Sequence, residues 1–182
     1  MDVKEAQKDM RLAYLGGSPG ALVSGLAWLI AGILAIYTSK EISILVFFLG
    51  GMLIHPVGII LSKIFKRTGK HKADNPLAKL AIECTLILFI GLFIAYVVFQ
   101  IRAEWFFSVM LMIIGSRYVL FQTIYGMKIY WIFGLILSAS GIIFLISNQP
   151  FYLAAIVGGI IEIVFAILLF KSENSHENLL KS

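Results

Sequence analysis

The sequence predicts an all-α protein, a six-helix transmembrane bundle with its N- and C-termini cytoplasmic. Three observations carry that prediction. Hydrophobic residues make up 60% of the chain and charged residues only 14%; soluble domains hold about 25% charged residues, so the solvent of this chain is lipid. Six apolar runs each approach the roughly 20 residues that cross a hydrocarbon core. Leaving aside Arg117, which lies within a run, the Lys and Arg residues divide 12 to 2 between the two sides of the bundle, which orients it by the excess of cationic residues on the cytoplasmic side.

The runs are 20–38, 42–64, 77–101, 105–125, 129–146 and 151–170. Ser18-Pro19, Asn75-Pro76 and Gln149-Pro150 put a polar residue and a proline at the starts of the first, third and sixth. Proline suits a first helical position, where its missing N–H has no partner to lose. The third run is long enough to tilt. The second contains Pro56, which frees the Met52 carbonyl, so a kink is expected there and Pro56 is a candidate hinge. Residues 1–17 place Val3, Ala6, Met10, Ala13 and Tyr14 on one helical face. That pattern fits an interfacial helix or a charged tail, and 171–182 read as a second tail. No cleavable leader is expected, because both signs of charge precede the first run and no A-x-A-like exit follows it. The whole chain, 1–182, then forms one integral membrane domain.

The cationic side receives Lys4, Lys8, Arg11, Lys63, Lys66, Arg67, Lys70, Lys72, Lys79, Lys128, Lys171 and Lys181; the other side receives Lys40 and Arg102. Only short turns around Ser39, Ala103 and Asn148 face outward, too little surface for a large external ligand. Between the second and third runs, Lys66, Arg67, Lys70 and Lys72 are candidate contacts for anionic lipid headgroups; the plainer reading is that they only set topology.

Ionisable residues inside the runs are the main functional signal, since a charge at the bilayer centre costs roughly 2.5–3.5 kcal/mol on insertion scales. The candidate buried polar layer is His55, Glu83, Arg117 and Glu162. At 1.5 Å per residue, His55, Arg117 and Glu162 fall at a common depth, about 12–14 Å from the cationic end. Glu83 is shallower and one turn from Lys79, so it also fits an i,i+4 pair at the boundary. Arg117 cannot shed its charge and needs an anion, with Glu162 the natural partner. Such a pair reads either as a packing lock or as a substrate or proton site. One complication is that Arg117 lies opposite Ser108, Gly115 and Gln122 on its own helix. His55 is either a satisfied packing residue or a group that changes charge near neutral pH.

Small residues frame these groups at matching intervals. Gly51, His55, Gly58 and Ser62 repeat the +4, +3, +4 spacing of Ala155, Gly159, Glu162 and Ala166, and Ala27, Ala31 and Ala35 offer a complementary surface. Such stripes let helices approach closely in lipid. A shift of 108 residues lays Gly50-Gly51 on Gly158-Gly159, a faint echo of duplication.

The one cysteine, Cys84, has no Cys or His nearby at ligand spacing. No nucleophile elbow, His-Glu-x-x-His motif, Asp-rich metal motif or phosphate loop is present. No enzyme activity, cofactor, metal or nucleic-acid partner is therefore expected. The stretches DMRLAYLGGSPGALVSGLAWL, GGMLIHP and ADNPLAKLAIE resemble small uncharacterised bacterial membrane proteins grouped under a domain of unknown function. That resemblance implies a bacterial inner-membrane setting and supplies no activity. The expected partners are the lipid bilayer and either a second copy or another membrane protein. The leading functional expectation is a non-catalytic membrane or partner protein; a small-solute transporter, proton-linked through the polar layer, is the alternative, and an intramembrane enzyme the third.

Overall fold

The computed structural model describes residues 1–179, and among these every regular element is helical. A short helix, α1 (Val3–Tyr14), precedes six long ones: α2 (Ser18–Tyr37), α3 (Lys40–Ile64), α4 (Leu77–Ile101), α5 (Phe106–Tyr125), α6 (Ile129–Ser147) and α7 (Phe151–Leu179). The six are long and apolar enough to span a membrane.

The ends of the helices follow local chemistry. Asp2 accepts from the Glu5 N–H at 2.8 Å while the Glu5 carboxylate accepts from the Asp2 N–H at 3.3 Å, a reciprocal cap that starts α1. Gly16 and Gly17, at φ 59° and 85°, make the reversal into α2 that a side chain would resist. Ser39 caps α3, and the Asn75 side chain accepts from Leu77 N–H at the start of α4. The last helix runs further than its apolar run: α7 continues through 171–179, the described part of the stretch read as a tail. Its polar residues include no Pro or Gly to stop a helix, so hydropathy marked the edge of the lipid span and not the end of the helix. Residues 180–182, with Lys181, lie outside the described residues.

Residues 3–14 are indeed helical, and their apolar face is buried at Ala6, Met10 and Ala13. Gln7 Nε2 donates to the Thr123 carbonyl at 2.9 Å. Asn75 Nδ2 donates to the Ala6 carbonyl and to Asp9, and Lys72 N–H donates to the same Asp9 oxygen. Helix α1 and the loop after α3 thus close one end of the bundle together.

Packing divides the long helices into two classes. α2 lies against α7, and α5 against α6, each pair meeting through glycines. A Cβ on Gly25 would stand 3.0 Å from the Gly159 carbonyl oxygen, and one on Gly134 would stand 2.5 Å from that of Gly115. Backbones this close gain dispersion contacts that lipid cannot match. α3 instead rests on α2, α4 rests on α5, and α3 and α4 share almost no contact.

Candidate functional site

The centre of the α2–α5–α6–α7 scaffold holds one carboxyl. Glu162 projects from α7 and is fully buried. It comes from the stripe Ala155, Gly159, Glu162 and Ala166, all of which are buried, so the +4, +3, +4 spacing does turn this face into the bundle. Its polar neighbours are Ser24 and Trp28 on α2 and Tyr118 on α5. Each can donate a hydrogen bond to a carboxylate. Neither Glu162 oxygen nor Trp28 Nε1 closes a hydrogen bond of standard geometry with them. The three are neutral donors set around the carboxyl as an open cage.

The expected partner does not occupy that cage. Arg117 is only half-buried, its guanidinium lies 4.9 Å from the centre of the Phe121 ring, and among the described residues the one ion pair within 4 Å is Lys40–Glu104. The Arg117 charge still reaches Glu162 through space. The reason is rotational. Ser108 and Gly115 of α5 are buried, with Gly115 pressed onto α6, which turns the opposite side of the helix, and Arg117 with it, outward. Tyr118, one position on, reaches Glu162 instead.

The remaining members of the expected layer are also apart. His55 and Glu83 are exposed on α3 and α4. For α3 the register differs by a single residue. Gly50, not Gly51, meets α2: a Cβ on Gly50 would stand 2.7 Å from Ala27 Cβ, whereas one on Gly51 would meet nothing within 4 Å. That choice buries Ser43, Phe47, Gly58 and Ser62 and swings His55 away from α2. Pro56 is likewise exposed, inside a helix that runs on through it. The four ionisable residues therefore do not form one buried layer. Of the basic candidates, Lys66, Lys70 and Lys72 are exposed and Arg67 is half-buried, all in the loop that folds over α1.

Ser24, Trp28 and Tyr118 were not singled out in the sequence. Ser24 and Trp28 are one turn apart on the face that carries Ala27 and Ala31, a signal that was there to be used; Tyr118 is distinguished only by its place beside Arg117. Aromatic rings extend from the carboxyl towards the α1 end. Phe133 and Phe165 stack with centroids 3.6 Å apart, and Tyr130, buried beside Phe165, donates from its hydroxyl to the Gly16 carbonyl at 2.6 Å.

A second feature lies outside the scaffold. Where α3 and α4 diverge, a cleft of about 600 Å³ opens sideways, lined by Leu45 and Phe48 of α3, Phe93 and Tyr96 of α4, and Phe106 of α5. Glu41 and Gln100 also line it, at the end of the bundle remote from α1. His55 continues the Glu41–Leu45–Phe48 stripe by helical register, seven residues beyond Phe48.

No curated protein and no solved structure matches the chain. One family profile does match, over residues 3–172. The chain, a multi-pass helical protein, thus belongs to a family of unknown function, DUF7010.

Proposed function

We propose that this protein is a non-catalytic component of a bacterial cytoplasmic membrane that acts by binding, with the α3–α4 face as its working surface. The observation that supports this reading is the division of the bundle. Four helices enclose the polar centre, while α3 and α4 each pack on one long neighbour and leave a lateral cleft between them. His55 and Glu83 point the same way: ionisable groups on the outer faces of spanning helices are expensive in lipid unless something covers them. The 12-to-2 division of Lys and Arg favours cytoplasmic termini. On that orientation Lys66, Arg67, Lys70 and Lys72 meet the anionic inner leaflet, and Pro56 is the point about which the α3 wall of the cleft bends.

The test is a photo-crosslinking amino acid placed at Phe93, on the cleft, or at Ile160, on the exposed face of α7, in native membranes. A discrete adduct from position 93 and none from position 160 is the expected result. Identical diffuse lipid labelling at both would contradict the reading.

Proton-linked transport is the second reading, favoured by one observation: Glu162 is enclosed without a counter-ion within 4 Å among the described residues. Solute-driven proton flux in vesicles that disappears with Glu162→Gln would establish it.

A further inference from the structure

We propose that the α3–α4 cleft binds a lipophilic organic cation, its apolar tail between the two helices and its ammonium head beside Glu41. This deepens the binding reading above and rests on it. Size sets the first bound. About 600 Å³ falls within the range of small-molecule sites, and along α4 the lining runs from Phe89 to Gln100, about 16 Å of helix.

The lining sets the second. Six aromatic side chains face the cleft: Phe48, Phe89, Phe93, Tyr96, Phe99 and Phe106. Aliphatic side chains would serve a plain hydrocarbon tail equally well. Aromatic ring faces carry negative quadrupole density and attract cations, most strongly where water is excluded. Rings at this end already do so within the chain: Lys40 Nζ lies 5.7 Å from the centre of Phe151, and the Arg102 guanidinium 4.9 Å from that of Trp105.

Charge at the mouth sets the third. Lys40 is paired with Glu104 at 2.6 Å, and the Arg102 guanidinium lies over the Trp105 ring. Glu41, which lines the cleft, makes no ion pair within 4 Å among the described residues. The mouth therefore presents a carboxylate that is held by Ser39 in the first turn of α3 and stands outside an ion pair, beside a cleft lined with aromatic rings. A positive head and an apolar tail complement both. An anionic lipid would meet Glu41, and a neutral chain would leave the carboxylate unused.

The probe is a spin-labelled hexadecyldimethylammonium ion, compared with an uncharged spin-labelled hexadecyl ether, in nanodiscs of an uncharged galactolipid. Electron paramagnetic resonance reads the immobilised fraction of each. The expected result is about threefold stronger retention of the cation than of the ether, falling to the level of the ether with Glu41→Gln. Tyr96→Leu, which removes the lining ring one turn from Gln100 at the mouth, should reduce the preference without reducing retention of the ether. Equal retention of both probes, unchanged by Glu41→Gln, would overturn the cation proposal and leave a charge-blind lipid groove as the working face. No immobilised fraction of either probe would overturn the cleft as a small-molecule site and with it this proposal; a second copy seated there would then appear as dimers of the protein in the same nanodiscs.

Discussion

The α2–α7 contact and the α3–α4 face are built from similar apolar residues and reach opposite outcomes. On α2 and α7, Gly25 and Gly159 bring the backbones so close that a Cβ on either would press on the carbonyl of the other. Around them sit Ser24, Trp28 and Glu162, all buried. On α3 and α4, Phe48 and Phe93 line an open cleft, and Gly51 has nothing within 4 Å of where its Cβ would be. The difference lies in where the small residues fall. In lipid, apolar side chains gain little by leaving one hydrocarbon for another, so helices associate where backbones can interlock and polar groups can meet. Glycine on the meeting face makes a scaffold; phenylalanine on it leaves a cleft.

The largest effect should come from breaking the scaffold. In Gly134→Ala the new methyl would meet the Gly115 carbonyl at 2.5 Å, and backbone cannot move aside as a side chain can. The expected loss is about 2–3 kcal/mol, read from unfolding in nanodiscs. Gly51→Ala, on the cleft side, should be neutral or stabilising by about 0.5–1 kcal/mol, since it removes a helix-interior glycine without a clash.

A smaller effect should separate the two partners proposed for Glu162. If Tyr118 donates to its carboxyl, Tyr118→Phe and Glu162→Gln should couple by about 1 kcal/mol in a double-mutant cycle. Arg117→Gln and Glu162→Gln should couple by less than that. A buried Arg117–Glu162 lock would instead cost about 3–5 kcal/mol when one partner is removed, and that result would reverse the assignment.

Gly50 and Gly51 form the sharpest adjacent pair. Gly50→Ala should cost about 1 kcal/mol by pushing on Ala27, and its neighbour should cost nothing; equal losses would mean that α3 is rotated from the register described. The smallest effect is expected at the mouth of the cleft. Lys40 and Glu104 are about 40% exposed, so Lys40→Gln should change stability by less than about 1 kcal/mol.

These comparisons also mark what could be read from the chain. The six spans were legible because length and hydropathy set them, and the inward face of α7 was legible because Ala155, Gly159 and Ala166 single out one side. Rotation of α3 and α5 was not. Both helices are apolar all round, so no polar face points away from the core, and the choice between neighbours rests on one residue: Gly50 or Gly51, Arg117 or Tyr118. Each wrong choice turns the helix by about 100°. That is enough to send His55 and Arg117 away from Glu162 and to hide the Ser24–Trp28–Tyr118 cage. Gaps between helices leave no trace in hydropathy, so the cleft was invisible as well.

The account turns on α3 and α4 standing apart in lipid while the scaffold is closed. Oxygen accessibility of nitroxide labels at Phe48, Phe93, Phe107 and Ile160, measured in nanodiscs, tests this most directly. The labels at Phe48 and Phe93 should approach the accessibility of the lipid-facing label at Ile160, with the label at Phe107, fully buried in the scaffold, far below. Labels at Phe48 and Phe93 as shielded as that at Phe107 would close α3 onto α4 and contradict the cleft.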